Sequence, residues 1–324
     1  MKYRAISAEG VRVSTLAIGG NIFGYACDQR QTKKILSAAR DNGVNFVDTA
    51  DVYSDGRSEE MIGNALSGQR ECWIIASKVG VKSHETGEGT GSKKVIFKRI
   101  ENSLRRLRTD YIDLYQLHHF DPDTPVQETL EAMEALLAQG KVRYFGLSNL
   151  NAQQVALYVK CARLSNLTLP ATNQIHYNII KREMANEHFA ASESDRPRLL
   201  VYGALGRGVL SGKYRPGETP GESTRANLSV SVKSDLQPVV LRAVADLAKI
   251  GLEAGVTMGQ LALAYVMRSP EVVSALVGIR TVEQLEEIVK GCALCLNVDF
   301  WVAVDDYLNN LEGLEQVSLG KPSL

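Results

Sequence analysis

Short runs of β-branched and aromatic residues alternate with longer amphipathic stretches from residue 13 to about residue 290 of the chain. Such runs predict strands, and their regular alternation with helical stretches indicates a parallel sheet built from βα units. The predicted strands number eight: VSTLAIGG, VNFVDTA, CWIIASKV, IDLYQLHH, VRYFGLSN, ATNQIHYN, LLVYGALG and VVSALVGI.

The stretches between these runs carry apolar residues at helical spacing, and several end at the glycine that commonly follows a helix. Consecutive βα units in this number favour a closed barrel over an open sheet, because closure leaves no edge strand. We therefore expect an α/β fold, a (β/α)8 TIM barrel with an N-terminal β-hairpin and a C-terminal helix or tail, in a single domain over residues 1–324. The predicted helices include QTKKILSAARDNG, SEEMIGNALSG, KKVIFKRIENSLRRL, VQETLEAMEALLAQG, NAQQVALYVKCARL and TVEQLEEIVKG.

Two long polar segments interrupt the βα rhythm: SHETGEGTGS after the third predicted strand, and SGKYRPGETPGESTRANLSVSVKSDL after the seventh. Long loops in compact domains often act as lids, and loops that follow barrel strands lie at the face where barrel enzymes carry their sites. We predict lids here, with tolerated surface insertions as the alternative.

The charge composition of the chain limits the classes of partner that it can attract. The chain has 37 Lys and Arg residues against 37 Asp and Glu residues, so no global charge attracts nucleic acid or anionic lipid. No stretch approaches the roughly 18 apolar residues of a membrane helix, and the N-terminal segment MKYRAISAEG lacks the apolar run of a secretory signal. We expect a cytoplasmic protein that recognises small molecules and binds neither nucleic acid nor a membrane.

The five cysteines are scattered and odd in number, which does not suit a disulfide framework. Cys292 and Cys295 have the spacing of a redox motif, but no strand-to-helix turn precedes them to lower a thiol pKa. We expect both to be small, partly buried hydrophobic residues.

Polar residues gather where the predicted strands end. A buried barrel strand needs apolar or small residues unless a site requires otherwise, and residues at the same end of different barrel strands converge on one pocket. We expect such a pocket from Asp48, Thr49, Ser77, Lys78, His118, His119, Ser148, Asn149, Asn173, Gln174, His176 and Tyr202.

Asp48, Lys78 and Tyr53 suit proton transfer. Burying a carboxylate and an ammonium is costly unless they pair, so Asp48 and Lys78 are expected to form an ion pair. Tyr53 follows Asp48 in DTADVYSDG and would lie just above the pair. A nearby ammonium favours phenolate, so Lys78 is expected to lower the pKa of Tyr53, while His118 hydrogen-bonds a substrate oxygen or shares the proton.

Metal and nucleophile sites fit the sequence less well. If His118 and His119 lie on a strand, their side chains point to opposite faces and cannot hold one ion. The chain has neither an HExxH motif nor a GxSxG elbow. We predict no metal, and for His119 a place at the pocket rim or behind the strand.

None of these side chains carries electrons, so redox chemistry needs a cofactor. No GxGxxG follows the first strand, which argues against a Rossmann dinucleotide site. Barrels instead bind phosphate with the loops after strands seven and eight, where this chain has Arg207, Lys213 and Arg280. Gly278 and Arg280 precede the last predicted helix, whose backbone amides suit an anion.

Successive motifs of the chain resemble those of the aldo-keto reductase superfamily, in order and at suitable spacing, over residues 3 to about 290. The motif DLYQLHH and the SGKY segment are closer to the bacterial reductases and the potassium-channel β-subunit-like branch than to the aldose reductase branch. The motifs are VNFVDTADVYSDGRSEEMIG, the lysine of IIASKVG, DLYQLHHFD, VRYFGLSN, TNQIHYN, GALGRGVLSGKY and VGIRTVEQLEE.

The resemblance implies a catalytic tetrad of Asp48, Tyr53, Lys78 and His118. It also implies NADP(H) as cofactor, with NAD(H) as the alternative and Arg280 favouring NADP. Tyr202 would stack on the nicotinamide ring, and the last helix would bind the adenosine end. The implied cofactor contacts are Gly19, Gly20, Asn21, Asp48, Ser148, Asn149, Gln174, Tyr202, Gly203, Leu205, Gly206, Gly208, Lys213, Gly278, Arg280, Gln284 and Glu287.

Three functions follow as hypotheses. The first is an NADP-dependent oxidoreductase that interconverts an aldehyde or ketone and an alcohol, with the proton supplied by Tyr53. The second is a sugar dehydrogenase running oxidatively with NAD(P), and the third a cofactor-sensing regulatory subunit. The tail DFWVAVDDYLNNLEGLEQ predicts an amphipathic helix that covers the pocket or an interface between identical subunits, with Trp301 and Tyr307 as packing residues.

Overall fold

The computed structural model describes residues 1–7, 10–81, 90–191, 196–215, 217, 232, 235–314 and 317. Most of the two predicted lid segments lies outside these ranges, so the lid prediction concerns residues that are not described. Each of the eight predicted strand segments contains or overlaps an observed strand.

Eight parallel strands form a closed barrel in the order β10-β3-β4-β5-β6-β7-β8-β9, which confirms the predicted fold class. The first two strands pair antiparallel in the expected N-terminal hairpin. The strands are β1 Tyr3–Ala5, β2 Arg12–Ser14, β3 Leu16–Gly19, β4 Phe46–Asp48, β5 Ile74–Val79, β6 Ile112–Leu117, β7 Val142–Ser148, β8 Thr172–His176, β9 Arg198–Tyr202 and β10 Val272–Val277.

Helices surround the barrel, and several begin where the sequence offers a cap. Asp28, Asn151 and Thr257 each form a capping box with the glutamine three residues later, which satisfies amides that the first helical turn leaves unpaired. The sequence prediction named no helix over residues 183–190, 238–253 or 258–267. Within the described residues, the helices are α1 Gln29–Asp41, α2 Arg57–Ala65, α3 Lys93–Leu107, α4 Val126–Ala138, α5 Ala152–Leu164, α6 Glu183–Ala190, α7 Pro238–Glu253, α8 Met258–Met267, α9 Val282–Cys292 and α10 Val298–Asn310.

A small apolar cluster fills the amino-terminal half of the barrel, separate from the larger cluster between strands and helices. The N-terminal hairpin closes it from below with Ile6 and Val13, both fully buried. Arg4 ties the hairpin to the carbonyl groups of Met267, Ser269 and Val272. Apolar side chains therefore fill this end of the barrel, and a ligand site is expected at the carboxyl end of the strands, as in other barrels.

The C-terminal helix α10 packs against the outer helices. Arg268 pairs with Asp305 at 2.8 and 2.9 Å and lies over the rings of Tyr265 and Trp301. Tyr307 donates a hydrogen bond to Asp246 on α7. Trp301 and Tyr307 are therefore packing residues, as predicted.

All five cysteines are free, in agreement with the sequence reading. Cys292 is buried at the end of α9, as expected, but Cys295 is exposed beyond that helix, so the prediction of burial was wrong for Cys295. Among the described residues, no helix combines the length and the apolar character needed to cross a membrane.

Candidate active site

The ion pair between Asp48 and Lys78 lies inside the carboxyl end of the barrel. Lys78 Nζ is 2.5 Å from Asp48 Oδ2 and donates a second hydrogen bond to the Thr49 carbonyl at 2.8 Å. Both side chains are almost completely buried. Burial alone would lower the pKa of Lys78, but the Asp48 carboxylate and Tyr53 raise it above its ordinary value. Lys78 therefore stays charged in the absence of solvent.

The second oxygen of the Asp48 carboxylate is held by two amides. Gln174 Nε2 donates to Asp48 Oδ1 at 2.7 Å, and Gln116 Nε2 lies 3.3 Å from the same oxygen. Gln174 thus contacts Asp48, an arrangement that its expected role beside a nicotinamide did not include. Gln116 was missed, although a glutamine between Tyr115 and Leu117 in an otherwise apolar part of a strand was the available signal.

Tyr53 begins a tight turn over Tyr53–Gly56 directly above the ion pair. Its phenol oxygen is 3.3 Å from Lys78 Nζ, and the ammonium lies 4.9 Å from the ring centroid. Burial raises the pKa of Tyr53, Lys78 lowers it and Asp48 raises it, with a net rise. Lys78 thus lowers the pKa of Tyr53 as predicted, but the prediction left out desolvation of the phenolate, which outweighs the attraction of the ammonium.

His118 and His119 lie side by side. Their rings stack with centroids 5.0 Å apart and an angle of 4° between planes, whereas strand geometry predicted opposite faces. The reason is that β6 ends at Leu117, so neither histidine keeps the strand alternation. His118 is buried, His119 is half-buried, and the His118 ring lies 5.9 Å from that of Tyr53.

The surroundings of the two imidazoles disfavour their charged forms. Burial, then the charge of Lys78, then His119 hold the pKa of His118 well below its usual value. Burial and Lys78 also lower the pKa of His119. Within the described part of the chain, His118 Nδ1 and His119 Nε2 have no hydrogen-bond partner. A ligand that enters this end of the barrel can supply one.

A polar cluster on the next strands completes the rim. Asn149 donates to the His118 carbonyl at 3.0 Å and accepts a hydrogen bond from the Tyr202 hydroxyl at 2.8 Å. Ser148 donates to the Gln174 carbonyl at 3.1 Å. The ring of Tyr202 stacks on that of His176, with centroids 5.2 Å apart. These contacts fix three of the residues expected beside a nicotinamide.

Not every polar residue at a strand end faces this pocket. Thr49 bonds Ser58 of α2, Ser77 donates to Glu59 of α2, and Asn173 donates to the Leu150 carbonyl. Each of these residues neighbours an inward-facing residue, so strand alternation points it out of the barrel. Their predicted place in the pocket was wrong.

The glycines at the ends of β3 and β10 lie close together. A side chain at Gly19 would come within 3.3 Å of the Gly278 amide nitrogen, and one at Gly278 within 3.4 Å of Asn21 Oδ1. The Arg280 amide donates to Gln284 Oε1 at 3.0 Å, just before α9. Asn21, Arg280, Gln284 and Glu287 are exposed. The residues predicted to contact the adenosine end, Gly278, Arg280, Gln284 and Glu287, are thus all exposed.

The loop after β9 carries the other expected cofactor residues. Gly203, Gly206 and Gly208 adopt left-handed backbone conformations, and Lys213 is exposed. Arg207, another cation of the region predicted to bind phosphate, lies 3.8 Å from the Asp235 carboxylate. Within the described ranges, neither Lys213 nor Arg280 forms an ion pair. Two exposed cations therefore remain on the loops that follow β9 and β10.

Two ion pairs behind the pocket were missed by the sequence analysis. Arg106 pairs with the fully buried Glu59, which also accepts from Ser77. Arg99 pairs with Asp51, in the same turn region as Tyr53. Among the described residues, no cluster of three or more His, Cys, Asp or Glu side chains is placed to hold a metal ion.

Comparison with known proteins gives the family context. A model of the Aldo/keto reductase family matches residues 15–309. A probable voltage-gated potassium channel subunit beta from Arabidopsis thaliana is 34% identical over 298 residues, 90% of this chain and 91% of that protein. The aldo-keto reductase YhdN from Bacillus subtilis is 32% identical over 320 residues, 96% of this chain and 94% of that protein.

Solved structures agree with this likeness. A glycerol dehydrogenase from Gluconobacter oxydans matches with a TM-score of 0.81 and 26% identity, over 99% of this chain and 98% of that chain. The holo form of an aldo-keto reductase from Bacillus halodurans matches with a TM-score of 0.77 and 28% identity, over 94% and 96% of the two chains. Sequence and structure comparisons thus point to the same group of proteins.

Proposed function

The chain belongs to the aldo/keto reductase family of oxidoreductases, and we propose that it interconverts an aldehyde or ketone and an alcohol with NADP(H), with Tyr53 as the proton donor. One observation carries the proposal. A phenol lies 3.3 Å from a buried ammonium that is itself paired with a carboxylate at 2.5 Å, at the open end of a barrel. This arrangement suits proton transfer to an oxygen atom.

The residues at the rim fit a dinucleotide phosphate. Lys213 and Arg280 are exposed cations on the loops after β9 and β10, where barrels bind phosphate. We propose that Arg280 and the start of α9 hold the adenosine end, that Lys213 holds the pyrophosphate, and that Ser148, Asn149 and Tyr202 hold the nicotinamide. When bound, NADP(H) supplies or accepts the hydride.

The protein side chains control the proton. Asp48 keeps Lys78 charged, and Lys78 orients the phenol oxygen of Tyr53. Because burial raises the pKa of Tyr53, the phenol keeps its proton through neutral pH and can donate it to a carbonyl oxygen. The low pKa of His118 keeps its imidazole neutral, so the ring directs a substrate oxygen by hydrogen bonding without competing as a cation.

The proposal is tested by NADPH oxidation with a panel of small aldehydes and ketones, including 4-nitrobenzaldehyde and glyceraldehyde. We expect turnover that requires both protein and carbonyl compound. Protein heated past its unfolding transition serves as the control for contaminating reaction. Absence of turnover with every compound, for protein shown by fluorescence to bind NADPH, would contradict the proposed reaction.

A second candidate runs the same site in the oxidative direction. One structure of high similarity is that of a glycerol dehydrogenase. In this direction the Tyr53 phenolate, which the raised pKa confines to high pH, accepts the proton of an alcohol or hemiacetal. Comparison of NADPH oxidation with NADP and NAD reduction, using glycerol and aldoses, distinguishes the directions. Faster reduction of NADP at cofactor ratios found in cells would favour the dehydrogenase.

The third candidate is a cofactor-sensing subunit, which the likeness to a probable channel subunit beta favours. The Asp48, Lys78 and Tyr53 arrangement argues for chemistry, because an ion pair without access to solvent is costly to maintain for binding alone. Lack of turnover together with retention of a specific protein partner in a pull-down would favour this role.

Arg280 should determine the choice of cofactor. We expect Arg280→Gln to raise the KM for NADPH about 10-fold or more, since a charge-assisted hydrogen bond contributes about 1.5–3 kcal/mol. The kcat and the KM for NADH should change little, because NADH lacks the 2′-phosphate on the adenosine ribose that distinguishes NADPH. Steady-state kinetics of the one variant with both cofactors provide the matched control. An equal rise in the KM values for NADPH and NADH would refute a phosphate contact.

A further inference from the structure

We propose that Arg99 is a positioning residue: through Asp51 it holds the turn that carries Tyr53 at a fixed distance from the end of the strand that carries Lys78. This inference rests on the proposed role of Tyr53 as proton donor. It concerns a side chain on the outer helix α3 that does not touch the reacting groups.

The turn after Tyr53 has an unfavourable backbone. Ser54 and Asp55 have φ angles of 51° and 57°, and Gly56 follows with a φ of 86°. Left-handed conformations are costly for residues other than glycine and persist only where surrounding contacts enforce them. Ser54 Oγ donates to the Phe23 carbonyl at 2.9 Å, which holds one end of the turn. The segment that leads into the turn carries Asp51, which is held by a separate contact.

Arg99 contacts the segment before the turn, and its two terminal nitrogens have different partners. Arg99 Nη1 lies 2.8 Å from Asp51 Oδ2, before the turn, and Nη2 donates to the Val81 carbonyl at 3.2 Å, after the end of β5. The Asp51 amide also lies 3.3 Å from the Lys78 carbonyl. One rigid guanidinium therefore links the segment before Tyr53 to the segment after Lys78.

The Tyr53 to Lys78 contact depends on this link. The phenol oxygen and the ammonium belong to two different βα connections, and their separation of 3.3 Å varies with the spacing of those connections. Loss of the guanidinium would let the strained turn relax and carry the phenol away from Lys78. Displacement by about 1 Å is enough to slow a reaction on the order of 100-fold.

The pair is poorly built for stability alone. Asp51 Oδ1 is buried and has no hydrogen-bond partner among the described residues. Buried pairs with unsatisfied atoms are seldom more stable than apolar replacements. By contrast, Asp113 at the other end of the barrel uses both oxygens, with Arg70 at 2.6 Å, Arg143 at 3.3 Å and the Ile75 amide at 3.0 Å. Positioning of the Tyr53 turn therefore explains the Asp51–Arg99 pair better than a gain in stability does.

Arg70→Ala is a matched control for Arg99→Ala. The Arg70 and Arg99 side chains are 16% and 17% exposed, and each pairs with an aspartate that is at most 5% exposed. Arg70 precedes β5, at the end of the barrel away from Tyr53. Both variants should lose thermal stability, and Arg99→Ala should also lose activity.

The experiment measures single-turnover oxidation of bound NADPH with 4-nitrobenzaldehyde, since product release can hide a slower chemical step. We expect Arg99→Ala to lower this rate on the order of 10- to 100-fold, with the dissociation constant of NADPH unchanged. Millimolar guanidinium chloride should restore part of the rate in Arg99→Ala and none in Arg70→Ala. If Arg99 served stability alone, Arg99→Ala would keep the wild-type single-turnover rate at saturating substrate, and guanidinium would have no loss of rate to restore.

The outcomes separate this inference from the proposed function. If Tyr53→Phe abolishes turnover while Arg99→Ala keeps the wild-type rate, the positioning role is wrong and the proton donor stands. If Tyr53→Phe also keeps the rate, the proposed function is wrong and the inference is overturned with it. Should Arg99→Ala be insoluble, Asp51→Asn preserves the shape of its partner, and an unchanged rate in that variant overturns the inference equally.

Discussion

Tyr53→Phe is expected to lower the single-turnover rate of carbonyl reduction by about 100-fold or more, because a positioned general acid contributes roughly that factor. Phenylalanine keeps the ring that packs edge-on against His118 at 5.9 Å. It removes the hydroxyl group 3.3 Å from Lys78. The variant therefore isolates the proton donor while it leaves the packing of the turn in place.

The dissociation constant of NADPH should remain close to that of the wild type, which nicotinamide fluorescence measures directly. Tyr25→Phe is the matched control, because Tyr25 is 69% exposed and has no part in the proposed reaction. An unchanged turnover rate in Tyr53→Phe would remove the assigned role. Equal losses in both variants would show that the assay responds to general damage.

The barrel and the ion pair could be predicted because each leaves a local signal. Apolar runs with strand character mark the barrel strands, and Asp48 and Lys78 stand out as charges in runs that are otherwise buried. Burial forces two such charges to pair, and the structure places them 2.5 Å apart. Chemistry that depends only on residue type and on position in a strand can thus be predicted from the sequence.

Features that depend on where a strand stops could not be predicted. Ser77 precedes Lys78 and points out of the barrel to Glu59, a distinction that requires the strand phase. His118 and His119 stack because β6 ends one residue earlier. A shift of one residue reverses which face a side chain occupies.

The net direction of the Tyr53 pKa shift and the ion pair between Asp51 and Arg99 could not be predicted from the sequence for a different reason. The direction of the Tyr53 shift depends on the balance between burial and the Lys78 charge, and both must be known in three dimensions. Arg99 lies on a helical face that reads as ordinary amphipathic sequence, 48 residues from Asp51. Contacts between a loop and a distant helix leave no periodic pattern.

Gly63→Ala is expected to destabilise the protein by about 3 kcal/mol or more, since overpacking typically costs about 1–3 kcal/mol and here the obstacle is backbone. A methyl group at Gly63 of α2 would lie 2.6 Å from the Arg106 carbonyl oxygen and 2.7 Å from the carbonyl carbon and oxygen of Leu107. Backbone atoms cannot turn aside as a flexible side chain does. Helices α2 and α3 must therefore move apart, which thermal or urea unfolding would register as a large loss of stability.

Moving α2 and α3 apart would also displace residues behind the site, because α2 carries Glu59 and α3 carries Arg99 and Arg106. Gly259→Ala on α8 is the matched control: nothing lies within 4 Å of a methyl group there, and alanine is favoured over glycine in helices by up to about 1 kcal/mol. It should leave stability unchanged or slightly raised. If Gly63→Ala unfolds at the same urea concentration as Gly259→Ala, the close contact of α2 and α3 does not constrain this fold. The expectation that the spacing of these helices affects the Tyr53 turn would then be wrong as well.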